Sequence, residues 1–272
     1  MDQGVAVVGA SMPADRLPHH REWLLAEQRD LELQDAVGPE VLDGDWRPLV
    51  RRVREQLEGY TGRLGIHGPF DGLALMSRDP RVRTLATDRL RQALELGAEL
   101  GASHMVVHSP FTFFGTPFLP HTPAFDQEAQ IALAHATIEP VLPLARDAGC
   151  TLVIETIFDK HPGPLLALVG SFGDAARLSI DTGHVYIGHR FGGPPPDAWI
   201  REAGSLLAHL HLQDTDGNLD RHWAPGDGAV NWFALFEALA ALPQRPRLLL
   251  ELKDCDQIPR AAAYLARRGL TR

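Results

Sequence analysis

Histidines and carboxylates recur at one kind of place in this sequence: the last residue of a short apolar run, or the few residues after it. His67 stands in HGPF, His108 in VVHSPF and Glu155 in LVIET. Asp181 and His184 stand in SIDTGH, His209 and His211 in AHLHLQD, Asp220 and His222 in LDRHW, and Glu251 in LLLELKD. Imidazole nitrogens and carboxylate oxygens are ligands for divalent cations. A carboxylate placed at the end of an apolar strand is poorly solvated, and several brought together repel one another. A shared cation removes that conflict. Each residue alone is weak evidence, because a single histidine after a strand is more often a hydrogen-bonded structural residue. The recurrence at six successive strand ends is what carries the metal-site expectation.

The elements that would position these residues are short apolar runs over 5–8, 31–33, 64–67, 105–108, 152–155, 178–181, 210–212 and 248–252. They are mostly unalternating, as expected of parallel strands covered on both faces. Between them lie amphipathic segments. The clearest spans 80–101, with Asp79 as N-cap and Pro80 at the first helical position. A second long helix is expected over 124–148, ended by Gly149. Shorter ones are expected over 18–26, 46–58, 164–169, 196–206, 231–242 and 258–268. Strand and helix alternating eight times read as a single (β/α)8 TIM barrel domain over 1–272, with a doubly wound sheet as the structural alternative. Functional groups of such a barrel sit where strands end and βα loops begin.

Bulk properties narrow the function. The chain is 44% hydrophobic and 22% charged, as soluble globular proteins are, with a net charge of −9. That charge argues against a broad duplex-DNA footprint, so no nucleic-acid partner is expected. Cys150 and Cys255 lie in no metal-ligand spacing and suggest no disulfide framework. The opening MDQGVAVVGA lacks the basic start and long apolar run of a secretion signal, and no stretch approaches a membrane span. A cytoplasmic protein with no membrane partner is therefore expected.

Not every histidine enters the set. His209 shares a strand face with His211 but lies two residues deeper, which suits packing or support. His19, His20, His121, His135, His161 and His189 read as loop or helix-surface residues. Phe111, Phe113, Phe114 and Phe118 cluster after the fourth strand. They suit a hydrophobic wall over a small substrate, with a homo-oligomer contact as the other use. The turn 225–228 carries Asp227, which would oppose a phosphate, so an unphosphorylated substrate is favoured.

The segment from His209 to Trp232, HLHLQDTDGNLDRHWAPGDGAVNW, together with SIDTGH, HGPF and VVHSPF, resembles the sugar phosphate isomerase/epimerase family of xylose isomerase-like barrels, which is related in fold to endonuclease IV. In the epimerases one metal is held after strands five, six and eight and on strand seven. The resemblance places those ligands at Glu155, Asp181, His211 and Glu251. It implies the glutamates Glu155 and Glu251 as acid and base, and His184 as a substrate contact. The endonuclease IV pattern implies three zinc ions on His67, His108, Glu155, Asp181, His184, His211, Asp220, His222 and Glu251. Departures exist on both sides. Thr156-Ile157-Phe158-Asp159 replaces the small polar run of endonuclease IV, and Gly217 stands where ketose epimerases commonly carry arginine, with Arg221 nearest.

The four-residue set is oxygen-rich and suits Mn²⁺ or Mg²⁺, with Co²⁺ compatible, whereas the larger set would serve two or three Zn²⁺ ions. The expected activity is isomerisation or epimerisation of a sugar or sugar-like keto or aldo compound through an ene-diolate. His184, His108, Phe70, Phe111 and Arg221 are the expected substrate contacts, and carbohydrate metabolism is the setting. The alternatives are zinc-dependent phosphodiester hydrolysis at abasic sites and a metal-dependent lyase or dehydratase acting on keto-sugars. A non-catalytic, metal-stabilised partner subunit is the remaining reading.

Overall fold

Strand pairing settles the architecture. In the computed structural model, which describes residues 6–111 and 127–272, eight parallel strands pair with their sequence neighbours, and the first also pairs with the last. They are β1 (Gly9–Met12), β2 (Leu31–Leu33), β3 (Leu64–His67), β4 (His104–His108), β5 (Thr151–Glu155), β6 (Ala176–Asp181), β7 (Leu207–Leu212) and β8 (Arg247–Glu251). The result is a closed barrel in strand order, a TIM barrel. The doubly wound alternative is excluded, because an open sheet has no pairing of first strand with last.

Helices fill the crossovers: α1 (Leu17–Ala26), α2 (Pro39–Leu42), α3 (Arg47–Gln56), α4 (Pro80–Leu100), α5 (Gln127–Ile138), α6 (Leu142–Asp147), α7 (Pro162–Ser171), α8 (Thr182–Arg190), α9 (Pro196–Ala203), α10 (Trp232–Ala240) and α11 (Ile258–Arg267). In α4 the Asp79 carboxylate accepts from the Arg81 amide at 2.8 Å, and Gly101 ends the helix at φ 75°.

Three expectations needed correction. The first strand lies at Gly9–Met12, not 5–8. Residue 5 is outside the described residues, and Val8 is buried without being a strand residue. Hydrophobicity points upstream, but strand pairing begins at Gly9, where an added Cβ would lie 2.0 Å from the Asp30 carbonyl oxygen. The expected helix over 124–148 is, within the described residues, two helices separated by a 3-10 turn at Glu139–Val141. Pro140 and Pro143 deny amide donors to one continuous helix. Helix α8 went unseen because its sequence, TGHVYIGHR, is poor in helix formers. It starts because the Asp181 carboxylate caps it, accepting from the His184 amide at 2.7 Å.

The strands also alternate more than expected. Their outward residues, among them Met12, Leu31, Leu33, Ile66, Met105, Val107, Ile154, Ile180, Leu210 and Leu250, form one core cluster with the helices. Each such side chain contributes roughly 1.5–3 kcal/mol of burial. The positions between them face the barrel axis and are largely polar: Ser11, Glu32, His67, His104, His108, Glu155, Ser179, Asp181, His209, His211 and Glu251. Gly65 also faces inward, since a Cβ there would sit 1.9 Å from the His104 ring.

Candidate metal centre

At the carboxyl rim, registers bring distant residues side by side: His108 opposite Glu155, and Asp181 opposite His211. Glu155, Asp181, His211 and Glu251 are all buried, and each offers one ligand atom within 4.8 Å of the others. The Nδ1 atom of His211 hydrogen-bonds Glu155 Oε1 and lies 3.3 Å from Glu251 Oε2. Asp181 Oδ1 accepts from the His184 amide and, at 3.1 Å, from Gln213 Nε2. Among the described residues its other oxygen, Oδ2, is buried with no hydrogen-bond partner. A buried carboxylate oxygen without a donor, inside a ring of other carboxylates, is what a cation site provides and what a hydrogen-bonded core avoids.

Two further groups flank this one. His67, His108 and Glu155 form the first, with Nε2 of His67 and of His108 at 3.6 and 3.5 Å from Glu155 Oε2. His184, Asp220 and His222 form the second, with the two Nε2 atoms 3.2 and 3.1 Å from Asp220 Oδ2. Ring tautomers follow from the carbonyls, which can only accept. Nδ1 of His67 donates to the Gly68 carbonyl at 2.9 Å, that of His184 to Thr156 at 2.9 Å, and that of His222 to Glu251 at 3.2 Å. In each neutral ring the Nε2 lone pair is therefore turned toward a carboxylate. Lone pair against lone pair is repulsive unless a proton or a metal ion lies between. All three groups thus fit a divalent cation by the chemistry of their donors.

The same conflict drives the proton affinities of these side chains. Burial pushes His211 down, but Glu251, Glu155 and Glu32 outweigh it and hold the imidazole well above its ordinary value. His184 is likewise raised well above, with burial opposed by Asp181 and Asp220. His222 rises to about 9, with burial outweighed by Asp220 and Glu251. Burial, with His67 next to it, takes His108 down to about 3. Burial lifts Asp181 to about 6. For Glu155, burial is outweighed by His211 and His67, which hold it well below the usual carboxylate range.

Loop 213–230 carries the second flanking group and is fastened by two residues unassigned from the sequence. Gln213 bridges the groups, donating to Asp181 Oδ1 and, at 2.8 Å, to Asp220 Oδ1 while accepting from the His222 amide at 3.1 Å. A Cβ on Gly183 would meet the Gln213 side chain at 2.3 Å, so glycine there admits it. Asp214 is wholly buried and accepts from the amides of Thr215, Gly226 and Val230 and from Trp232 Nε1. His222 itself sits at φ 48°, a left-handed conformation that costs a non-glycine residue energy and is held by these contacts. Gln34 and Glu32 were also unassigned. Gln34 Nε2 donates to Glu251 Oε1 at 2.9 Å. Glu32 lies one step below the rim with its carboxylate 2.9 Å from Nε2 of His211.

The expected substrate contacts divide. Phe70 is 40% exposed and stacks on His108, with ring centroids 4.3 Å apart. Phe111 is instead buried in the core. Arg221 is tied to Asp216 at 3.0 Å and lies over Trp223. Phe113, Phe114, Phe118 and His121 lie outside the described residues. His20 is not a surface residue: it is 4% exposed, because its helix turns it into the core.

Comparison with known proteins agrees with the barrel fold. The TTHB071 protein from Thermus thermophilus, solved after soaking with ZnCl2, is 30% identical, with 98% of this chain and 100% of that chain covered and a TM-score of 0.77. A D-tagatose 3-epimerase-like protein is 21% identical, with 96% of each chain covered and a TM-score of 0.76. A D-psicose 3-epimerase solved with D-fructose is 19% identical over 91% of this chain and 85% of that chain, with a TM-score of 0.69. The family model described as xylose isomerase-like TIM barrel matches residues 31–270, and the chain belongs to that family.

Proposed function

We propose that this protein is a divalent-metal-dependent isomerase or epimerase of a sugar or sugar-like keto or aldo compound, working as one barrel domain over 1–272. The observation that carries the proposal is the convergence of Glu155, Asp181, His211 and Glu251, with Asp181 Oδ2 lacking a hydrogen-bond partner among the described residues. The fold is shared with a D-tagatose 3-epimerase-like protein and a D-psicose 3-epimerase, which supports a carbohydrate substrate.

Glu155, Asp181, His211 and Glu251 would hold a divalent ion, which would supply Lewis acidity toward the substrate carbonyl. The protein's own groups move the protons. One of Glu155 and Glu251 removes the hydrogen from the carbon beside the carbonyl, leaving an ene-diolate. The other, protonated at the start, delivers its proton to the opposite face, so the two exchange protonation states and atoms and charge balance without a redox partner. Gln34 holds Oε1 of Glu251, which leaves Oε2 toward His211 and the site. His184, His108 and Phe70 line the approach, and Phe70 supplies an apolar face. Among the described residues no helix is long and apolar enough to cross a membrane.

The test is deuterium exchange. Protein loaded with Mn²⁺, Mg²⁺, Co²⁺ or Zn²⁺ is incubated in D₂O with a panel of unphosphorylated ketoses and aldoses, and ring or chain carbons are followed by proton NMR. Loss of signal at the carbon beside the carbonyl is expected. A second reading, phosphodiester hydrolysis, is favoured by the two flanking groups, which would bring the number of ions to three. Nicking of an abasic-site duplex, with three zinc ions per chain and no exchange on any sugar, would replace the first reading by the second.

A further inference from the structure

Below the rim lies a fourth meeting of carboxylate and imidazoles, Glu32 with His104 and His209. It differs from the others in having donors for its acceptors. Arg247 Nη1 lies 2.6 Å from Nδ1 of His104. A guanidinium only donates, so this Nδ1 accepts and the ring hydrogen sits on Nε2, 2.8 Å from Glu32 Oε2. Nδ1 of His209 is 2.7 Å from Ser179 Oγ, and its Nε2 faces Glu32 Oε2 at 3.2 Å. Glu32 Oε1 accepts from Ser11 Oγ at 2.8 Å and from Nε2 of His211 at 2.9 Å. The carboxylate is 0% exposed, and both its oxygens have protein donors, Ser11 and His211 on Oε1 and His104 on Oε2, although His209 Nε2 beside Oε2 makes no hydrogen bond among the described residues. The strand opposite makes room for the arrangement, since any side chain at Gly65 would strike His104.

We propose that Glu32 is a positioning residue: it fixes the hydrogen of His211 on Nε2 and so turns the Nδ1 lone pair toward Glu155 and Glu251 as the ligand atom. The inference rests on the metal-centre reading above. An imidazole pinned at its far nitrogen by a charged acceptor keeps both its ring plane and its tautomer, and it is a stronger ligand. His104, His209, Ser11 and Arg247 hold Glu32 in turn, so the support runs from the rim to the start of β8.

The experiment measures Zn²⁺ and Mn²⁺ affinity by competition with a chromophoric chelator, for the full chain and for Glu32→Gln. The amide cannot accept from both His211 and His104, and its NH₂ meets a donor. About a 10–100-fold loss of affinity is expected, with the far-ultraviolet circular dichroism unchanged. Equal affinity in wild type and Glu32→Gln overturns this inference alone. A wild type that binds neither ion overturns it together with the metal-centre reading. Nitrogen-15 NMR of histidine-labelled, Zn²⁺-loaded wild type gives the answer without any variant. A hydrogen on Nε2 of His211, with Nδ1 shifted by the metal, is expected. The reverse assignment refutes the role of Glu32.

Discussion

Two layers of this barrel use the same residue types to opposite effect. In the inner layer one carboxylate, Glu32, is met by Ser11, His104, His209 and His211, with Arg247 behind His104. Burial works against its charge, yet His211, the hydrogen bond from His104 and the nearby His209 ring hold it well below the usual carboxylate range. In the rim layer three carboxylates, Glu155, Asp181 and Glu251, crowd around His211, and Asp181 Oδ2 has no donor among the described residues. In the inner layer both oxygens of Glu32 have protein donors and the one polar atom without a partner among the described residues is a ring nitrogen, His209 Nε2, whereas at the rim it is a carboxylate oxygen crowded by other carboxylates. Burial alone therefore does not mark a metal centre; the ratio of acceptors to donors does.

The sharpest way to break this contrast is at the rim. Glu155→Gln and Glu251→Gln should each lower turnover by about 10²–10⁴-fold, the usual range for losing a positioned acid or base. Steady-state kinetics on whichever sugar shows exchange would measure it, and wild-type-like turnover in either variant would end the two-glutamate mechanism. Removing the centre of the inner layer should act on folding instead. Glu32→Ala leaves the buried donors Ser11 Oγ, His104 Nε2 and His211 Nε2 without their acceptor, and should cost about 3–5 kcal/mol in denaturant unfolding. A loss under about 1 kcal/mol, the worth of one ordinary hydrogen bond, would mean the inner layer is not the closed network described.

A smaller effect of opposite sign is expected at Asp181. After chelation of divalent ions, its carboxylate is buried beside other carboxylates, and its affinity for a proton is raised to about 6 from 3.8. A carboxyl whose folded value lies above its unfolded value contributes stability at low pH that is lost as pH rises through about 6. Asp181→Asn keeps an acceptor for His184 and Gln213 and escapes that loss. Chelated variant protein should therefore be more stable than chelated wild type at about pH 8, by about 3 kcal/mol at most, with the difference fading toward about pH 4. It should also fail to hold the central ion. Parallel pH–stability curves for the two proteins would remove the claim of surplus negative charge at the rim.

How much of this could be read from the sequence depended on distance along the chain. The rim residues were legible because each ends a short apolar run, and in a parallel barrel strand ends converge whatever their separation in sequence. The tautomer logic was not legible, since it needs the carbonyls of Gly68, Thr156 and Glu251 in place. Glu32 was hidden for a related reason. Its flanking leucines make LEL look like an ordinary strand, while its partners His104 and His211 lie 72 and 179 residues away. A glutamate between two core leucines was the available signal, because unpaired glutamate is almost never fully buried. Strand β1 was misplaced because Gly-Ala-Ser-Met carries little hydrophobic or β-forming character and is held by neighbours on both sides. His20 and Phe111 show the converse failure: residue type said surface or site, and packing put both in the interior.

The least disruptive probe separates charge from hydrogen-bond number in the inner layer. Ser11 Oγ is one of the two donors to Glu32 Oε1, at 2.8 Å, and Ser11 is buried at 1% exposure. Ser11→Ala removes that donor but leaves His211 on the same oxygen and His104 on the other. If the layer is held chiefly by the charge of Glu32 against its imidazole and guanidinium neighbours, the loss should be about 1 kcal/mol, that of a single buried hydrogen bond. The affinity for Zn²⁺ should then change by less than about threefold, since the His211 ring remains pinned. A loss as large as that of Glu32→Ala would mean that Ser11, and not the charge, orients the carboxylate. The contrast between the two layers would then rest on one hydroxyl on β1.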